Sequence, residues 1–532
     1  MTTPCLQAWR DSLGAERVRT DDGTLQAYRN NVCDFRRTLA CVLRPRTVED
    51  VQALVRTANR HNASLHPISR GRNWGMGSRL PPRDGAAIVD LGDLNRIREV
   101  NAPMRYAVVE AGVTQSQLYA HLCEHGLPLM MNVTGSTGDT SLVGNALDRG
   151  VGYFSSRATA LSGLEVVLGT GELIRTGFGH YAGAATTHLY RHGLGPSLDG
   201  LFAQGNFGIV TAAGFELLPR PAANLAFIVR LEREEQLPPL IDALAALRRE
   251  GAIETVVHVA NRERSEITLA PLLYEQLQAL GIDTGADPRA YTEAMIRREG
   301  FGPWSAVGGV PGSGGRRRWA CARIRAALRG KARLLFLSGA QMVAARRLLG
   351  AFAFVPWFRR KLALVNAVEP VSNLALGIPA DATLKGVYGP LRGEYPGGPD
   401  PDQSRCGMLY CLPVLPARGD AVRECLAETR AIFARHGFTA YLTVNLLDDR
   451  SLEGVISLTF HRDDPGRAEA ARTCIREAEA YYLRAGWPPY RVGIESFDLV
   501  VRPDDPYWKT VRDLKLALDP NHIISPGRYN LV

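Results

Sequence analysis

The stretch Pro67–Gly77, which reads PISRGRNWGMG, constrains this chain more than any other. It places glycine at positions 71, 75 and 77, between the apolar runs of two short predicted strands. Because glycine has no Cβ, backbone N–H groups in such a loop can point together at an anion. A second glycine-rich run, GSTGDTSLVGNALDRGVGY, covers residues 135–153. Two such loops beside one α+β unit suit a dinucleotide with its pyrophosphate bridge, and two ordinary turns are the alternative.

The length of 532 residues exceeds what one compact core usually holds, so we expect two domains. A hydrophobic content of 45% and a charged content of 22% are typical of a globular protein. The net charge of +9 is mild for this length and is scattered along the chain, so we expect no nucleic-acid partner.

Nine cysteines show no CxxC pair, which predicts reduced thiols in a cytoplasmic protein. The first residues contain no apolar run typical of a signal peptide, and no long apolar stretch predicts a membrane span. The histidines show no ligand spacing, so we expect no metal site.

Strand and helix patterns alternate through the first 220 residues, which predicts an α+β fold. Thr47, followed by two acidic residues, predicts a helix start, and GTGE predicts a hairpin turn. The pattern changes after LLPRPAAN, where helices are expected at Leu237–Arg249 and Arg323–Leu328. Two further α/β units follow, so we place a second domain at residues 222–485.

Several common enzyme motifs are absent from the sequence. The run VPGSGGRRR lacks the Lys-Ser/Thr pair of a phosphate-binding loop, and no GxGxxG follows a strand. HExxH and GxSxG are also missing, which argues against zinc proteases and common serine hydrolases.

Five segments occur in an order that resembles a known family: Pro67–Gly77, SLVGNALDRGVGY, GLEVVLGTGELIRTG, GLGPSLDGLFAQGNFGIVT and DPNHIISPGR. Together they resemble the vanillyl-alcohol oxidase and para-cresol methylhydroxylase family of FAD-dependent oxidoreductases. The resemblance implies a two-domain flavoprotein of the α+β class. Its FAD-binding domain would comprise residues 1–221 and 486–532, and an inserted α/β cap at 222–485 would carry the substrate pocket.

The same resemblance implies that the glycine loop holds the FAD pyrophosphate through backbone donors of Gly71 to Gly77. The residues expected to contact FAD are Gly71, Arg72, Asn73, Trp74, Gly75, Met76, Gly77, Gly138, Asp139, Ser141, Gly144, Asn145, Gly150, Gly152, Ile209, Val210 and Arg528.

Family members that oxidise para-alkylphenols hold the phenol oxygen with two tyrosines and one arginine. The resemblance assigns these roles to Tyr106, Tyr490 and Arg491, and it places Tyr153 in the pocket. Each residue taken alone is equally compatible with ordinary packing. Together they would favour the phenolate, since charge-assisted hydrogen bonds stabilise the ionised form. A phenolate makes the benzylic carbon a hydride donor, and a para-quinone methide results.

Two departures from the family pattern bear on function. Ser136 stands where vanillyl-alcohol oxidase has a carboxylate, and Asp139 falls at a loop-glycine position, so neither is expected to act as a base. Glu453 or Gly454 stands where the family often tethers FAD covalently. We therefore expect non-covalent FAD.

Loss of a neighbouring carboxylate from a quinone methide needs no base, whereas addition of water benefits from one. The sequence thus predicts oxidative decarboxylation of a tyrosine-derived N-acyl acid to a hydroxystyryl product in secondary metabolism. A para-alkylphenol or hydroxybenzyl alcohol oxidase or dehydrogenase is the first alternative, and a non-catalytic flavin-binding subunit is the second. Molecular oxygen or another acceptor would take the electrons, and a homodimer is expected.

Overall fold

The computed structural model describes residues 2–221, 224–299, 302–390 and 400–532. Its first sheet has the order β1-β2-β4-β3, in which β2, β4 and β3 run parallel. The strands are β1 (Val18–Arg19), β2 (Leu39–Leu43), β3 (Leu65–Ile68) and β4 (Ala86–Asp90). The helices of this region are α1 (Thr3–Leu13), α2 (Asp22–Arg29) and α3 (Val48–His61). Thr47 and Asp50 form a reciprocal capping box at the start of α3, which confirms the predicted helix start.

A five-stranded antiparallel sheet follows, with the order β5-β6-β10-β8-β9. Its strands are β5 (Ile97–Asn101), β6 (Tyr106–Glu110), β8 (Leu161–Leu168), β9 (Leu173–Arg175) and β10 (Gly208–Glu216). β7 (Leu129–Met130) pairs separately with β11 (Leu218–Pro219). The accompanying helices are α4 (Gln115–Glu124), α5 (Leu142–Leu147) and α6 (Asp199–Phe202). β8 and β9 form the hairpin predicted around GTGE.

The next sheet, which we call the cap sheet, has eight antiparallel strands. Its order is β15-β12-β14-β13-β18-β19-β16, and β17 pairs with β19. The strands are β12 (Asn224–Arg230), β13 (Val257–Asn261), β14 (Trp304–Pro311), β15 (Arg333–Ser338), β16 (Cys406–Cys411), β17 (Val414–Pro416), β18 (Tyr441–Leu446) and β19 (Ser451–His461). Its helices are α7 (Leu237–Arg249), α8 (Arg262–Ala279), α9 (Pro288–Arg298), α10 (Gly314–Leu328), α11 (Gly339–Ala351), α12 (Pro356–Leu374), α13 (Gly419–Arg435) and α14 (Pro465–Arg484).

The end of the chain returns to the first sheet. After α15 (Phe497–Val500) and α16 (Pro506–Leu518), Ile524 forms a parallel bridge with Leu65. The buried Lys515 amine donates to the carbonyls of Ile524, at 2.9 Å, and Asn206. The C-terminal segment is therefore held within the region that carries the glycine loop.

These elements confirm a mixed helix and sheet fold. The division at residues 221 and 485 stays a prediction. The nine cysteines, all among the described residues, form no disulfide there, and of them only Cys123 is exposed. Among the described helices, none is both long and apolar enough to cross a membrane.

Candidate active site

A cavity of about 800 Å³ lies between the two glycine-rich segments and one face of the cap sheet. This volume falls within the usual range of about 300–1,000 Å³ for ligand pockets. The glycine loop and the C-terminal segment line one end, and cap-sheet strands line the other. The cavity therefore joins the region expected to bind FAD to the region expected to bind substrate.

The glycine loop meets the cavity through Gly71, Arg72, Asn73 and Trp74. The next residues use their backbone differently: the Met76 N–H donates to the Asn73 carbonyl at 3.2 Å, and the Gly77 N–H donates to Cys33 Sγ at 3.2 Å. These two N–H groups are already bonded within the protein, so the backbone donors predicted for the cofactor are limited to the other residues of the loop.

Gly75 is needed for close packing in this loop. Its φ of +78° lies in the left-handed region, and a Cβ there would overlap the ring of Tyr410. Tyr410 itself lines the cavity from β16. Gly75 therefore makes room for a cap-sheet side chain and does not line the cavity.

Asp139 has a structural role that the sequence did not indicate. Its carboxylate accepts hydrogen bonds from Arg70 at 2.6 Å and from Arg72 at 2.8 Å. On the other side, Asp400 accepts from Arg72 at 2.6 Å and from Arg79 at 2.7 Å. We call these five residues the arginine latch. The latch holds the glycine loop from both sides, so the expected contact of Asp139 with the cofactor is corrected.

The second glycine-rich run supplies several predicted residues to the cavity. Those that line it are Ser136, Ser141, Gly144, Asn145, Gly150 and Tyr153. Two others are displaced from it. The Gly138 N–H donates to Asp381 at 2.8 Å, and Gly152 packs tightly against Asn132. These contacts show that Gly138 and Gly152 shape the loop, in contrast to the cofactor contacts expected of them.

Buried polar atoms without partners test whether this site fits FAD. Among the described residues, Trp74 Nε1, Asn145 Oδ1 and Arg491 Nε are buried and unbonded, and all three residues line the cavity. Burying a polar group without a partner is costly, so such atoms mark a place for a polar ligand. Ile209 and Val210 add apolar surface to the same lining. The site thus offers the mixed polar and apolar contacts that FAD requires.

Arg491 and Tyr490 lie in the cavity, as predicted from the sequence. The Arg491 guanidinium donates to Asn73 Oδ1 at 2.7 Å and lies 3.5 Å from Asp148, which also pairs with Arg528 at 2.8 Å. Burial alone would lower the pKa of Arg491, but Asp148 raises it, so the cation is retained. Burial, together with Glu453, raises the pKa of Tyr490, which keeps its hydroxyl neutral and able to donate.

Tyr106 does not belong to this group, and its predicted role is corrected. Its hydroxyl donates to Glu99 at 2.7 Å, and its ring lies 5.5 Å from that of His188. Tyr106 begins β6 and is absent from the cavity lining in the described structure. Tyr410 instead lines the cavity together with Tyr490. The sequence alone does not reveal this, because a single tyrosine in a predicted strand looks the same whether it lines a cavity or packs in the core.

A buried carboxyl group, that of Glu453, lies near Tyr490 and Arg491, although position 136 provides none. Burial raises the pKa of Glu453 to about 7, and its Oε2 has no partner among the described residues. Glu453 influences Tyr490 and Arg491 electrostatically. Tyr153 packs against His258 with ring centroids 4.5 Å apart. Glu453 thus places a carboxyl group within electrostatic range of Tyr490 and Arg491, at a position that the sequence analysis considered only for a flavin tether.

Comparison with known proteins agrees with this geometry. Residues 39–177 match a family described as an FAD binding domain. The chain is 33% identical to 1'-carboxy-chondrochloren decarboxylase of Chondromyces crocatus, over 99% of this chain and 96% of that protein. It is 28% identical to the flavoprotein subunit of 4-cresol dehydrogenase [hydroxylating] of Pseudomonas putida, over 99% and 95% of the two chains.

Solved structures of phenol-oxidising flavoproteins also resemble this chain over nearly its whole length. The 4-ethylphenol oxidase of Gulosibacter chungangensis, in complex with isoeugenol, superposes with a TM-score of 0.84 at 26% identity, covering 99% of this chain and 97% of that one. Substrate-bound p-cresol methylhydroxylase gives 0.83 at 27% identity, covering 99% and 96%.

The fold, the cavity and these likenesses define an FAD-dependent oxidoreductase. More narrowly, the chain belongs to the vanillyl-alcohol oxidase and para-cresol methylhydroxylase family. In this family FAD, when bound, supplies the hydride acceptor. Here Gly71 to Trp74, Asn145 and Arg528 line the part of the cavity that would hold it.

Proposed function

We propose that this protein oxidises a para-substituted phenol that carries a carboxylate and releases the carboxylate as carbon dioxide. The observation that carries the proposal is the buried Arg491 Nε, which has no partner among the described residues and belongs to a residue that lines the cavity next to the neutral Tyr490. The relatives support it, since their names include a carboxy-compound decarboxylase and a cresol dehydrogenase.

The phenol oxygen binds at Tyr490 and Arg491. The backbone of Tyr490 is fixed on both sides, because its N–H donates to the Leu412 carbonyl at 3.1 Å and its carbonyl accepts from Gln204 at 3.0 Å. A hydroxyl donor and a guanidinium around one oxygen lower the pKa of the bound phenol. The resulting phenolate raises electron density at the benzylic carbon, which loses a hydride to give a para-quinone methide.

Arg264 is the candidate partner for a carboxylate on the substrate. It lines the cavity from α8 and donates to Ser457 Oγ at 3.3 Å, and no described carboxylate pairs with it. A substrate carboxylate would complete this pairing. When the carboxylate leaves as carbon dioxide, its C–C bond electrons form the new alkene, and the quinone methide returns to an aromatic phenolate. The product is a hydroxystyryl compound, and a tyrosine-derived N-acyl acid fits the substrate.

Glu453 favours a second candidate within the same class. A carboxyl with a pKa raised to about 7 is suited to general base catalysis. It could deprotonate water for addition to the quinone methide, which would convert a para-alkylphenol to a hydroxybenzyl alcohol. The two candidates differ in whether carbon dioxide is released.

Four further features complete the proposal. FAD is held without a covalent bond, since neither Glu453 nor Gly454 provides the expected tether. Oxygen or another acceptor takes the electrons, and the protein acts as a homodimer in the cytoplasm, where cysteines without disulfides among the described residues are compatible with a reducing compartment.

The test is an anaerobic titration of the FAD-loaded protein with para-alkylphenols, hydroxybenzyl alcohols and N-acyl tyrosines. The visible flavin absorbance and headspace carbon dioxide are followed together. Bleaching by the carboxylated compounds with release of carbon dioxide is the expected result. Bleaching only by plain phenols, without gas, would favour the second candidate, and no bleaching by any phenol would refute both.

A further inference from the structure

One row of side chains crosses the cap sheet, from the cluster of Tyr490, Arg491 and Glu453, which we call the catalytic cluster, to the sheet edge. In the antiparallel register each member lies directly opposite the next, so all of them share one face. The row consists of Glu453, Asn445, His258, Val307, Ile228 and Leu335. Its members from Asn445 to Leu335 all line the cavity. The row therefore gives the cavity a direction, from a polar end to an apolar end.

His258 stands at the boundary between the two ends. Its Nδ1 lies 2.8 Å from Asn445 Oδ1, so Nδ1 carries the proton in this bond and Nε2 is left as an acceptor. Nε2 is buried without a partner among the described residues. Burial lowers the pKa of His258 to about 4, which keeps the ring neutral at physiological pH. This nitrogen can therefore accept a hydrogen bond from a donor on the substrate, such as an N–H group.

The apolar end of the row faces an apolar stripe on α12. Leu364, Val365, Val368 and Val371 recur at helical spacing and line the same cavity. We call the space between this stripe and Val307, Ile228 and Leu335 the tail channel. Val307 remains 42% exposed and Leu335 50% exposed, so no described residue fully covers this part of the channel wall.

The dimensions of the tail channel suit an extended chain. Neighbouring strands lie about 4.8 Å apart, so the three spacings from His258 to Leu335 cover about 14 Å. An apolar wall of this length gains free energy only when apolar groups displace water from it. Ile228 and Val307 offer no polar atom to such a group, whereas the catalytic cluster at the other end of the row binds charge.

We propose that the tail channel binds a long apolar acyl chain joined by an amide to the nitrogen of the phenolic amino acid, with the amide N–H donating to His258 Nε2. This inference rests on the proposed function, and it adds to it the length and polarity of the acyl group. The phenol would lie at Tyr490 and Arg491, the amide at His258, and the chain along Ile228 toward the sheet edge.

The experiment measures binding of N-acetyl-, N-octanoyl- and N-dodecanoyl-tyrosine by anaerobic calorimetry to the FAD-loaded protein, with the FAD reduced beforehand so that the ligands are not oxidised. For the wild type, the dissociation constant should fall about twofold to fourfold per buried methylene until the channel is filled. Ile228→Arg and Val307→Glu should abolish this dependence. Leu348→Arg is the matched control, because Leu348 is 58% exposed on α11 and does not line the cavity. Flavin content and melting temperature verify that each variant is folded.

The hydrogen bond to His258 has its own test. An octanoyl ester of para-hydroxyphenyllactate lacks the N–H and should bind about tenfold more weakly than the octanoyl amide. His258→Leu should remove the difference between amide and ester and keep the dependence on chain length. Equal binding of amide and ester by the wild type would overturn the assignment of His258.

The outcomes separate the channel from the reaction. Equal affinity for all three chain lengths, or a dependence retained in both channel variants, would overturn the channel even if phenols are oxidised. A dimer that Val307→Glu converts to a monomer, without any effect of chain length, would instead assign this face to a second copy. Chain-dependent binding without oxidation or carbon dioxide would support the channel and refute the proposed function.

Discussion

Glu453 of β19 lies directly opposite Asn445 of β18, which places its side chain on the cavity side of the cap sheet. Asn445 is in turn hydrogen-bonded to His258. A buried carboxyl that titrates near neutrality thus lies at the end of a polar row and within electrostatic reach of Arg491. Strongly shifted carboxyl groups beside a cavity are candidates for functional roles.

The pKa of Glu453 predicts a pH-dependent stability. Its folded-state pKa of about 7 lies above the unfolded value near 4.5, so its stabilising contribution is complete below about pH 4.5 and is lost as the pH rises through 7. Glu453→Gln should therefore unfold like the wild type at about pH 4 and be more stable at about pH 8, by up to about 3 kcal/mol. Urea midpoints of the FAD-loaded proteins measure this. The exposed Glu469→Gln serves as the control, and equal gains in both variants would contradict the assignment.

Arg491 should be required as a guanidinium and not only as a charge. Arg491→Lys keeps a cation but cannot reproduce the bonds to Asn73 and the free Nε donor, so kcat/KM should fall about 10-fold to 100-fold. The pKa of a bound phenol, read from its absorbance, should rise in the same variant. Arg502→Lys at the exposed surface is the matched control. An unchanged phenol pKa would show that Arg491 does not hold the oxygen.

The two tyrosines named by the sequence should behave differently. Tyr490→Phe removes a cavity hydroxyl and should lower kcat/KM about 10-fold or more, because a bond to a charged oxygen is lost. Tyr106→Phe removes the hydrogen bonds to Glu99 and Asn101, which lie outside the cavity, and should leave kcat/KM within about twofold. Steady-state kinetics on one phenol compares the pair. A large loss for Tyr106→Phe would restore the three-residue clamp.

The arginine latch should govern retention of FAD. Asp400→Asn removes the carboxylate shared by Arg72 and Arg79, which loosens the glycine loop on its cap side. We expect FAD to bind about tenfold more weakly, as measured by fluorescence titration of the apoprotein. Asp420→Asn breaks an exposed pair with Arg418 and should have no effect. Equal affinity in both variants would exclude a role for the latch.

Local signals in the sequence were sufficient for several elements. The capping box at Thr47, the β8–β9 hairpin and helix α7 at Leu237–Arg249 appear as expected, because each depends on neighbours within a few residues. Gly71 and Asn145 reach the cavity for the same reason, since glycine-rich turns are local.

Long-range contacts explain the expectations that failed. In the sequence Asp139 looks like an ordinary loop residue, and its role is evident only from its ion pairs with Arg70 and Arg72 in the structure. Tyr106 occupies a suitable position along the chain, but its strand turns the hydroxyl to Glu99. No pattern within the sequence reports such partners, since they lie on other elements.

The sequence by itself determined the fold class, the glycine loop, the family and the adjacent Tyr490 and Arg491, because these depend on short motifs and local propensity. The tertiary structure alone decided which side chains meet. Strand register placed Glu453 opposite Asn445 and aligned His258 with Val307, and the cap sheet brought Tyr410 against Gly75. Register and packing arise from pairing between distant segments, so the order of the residues in the chain leaves them open.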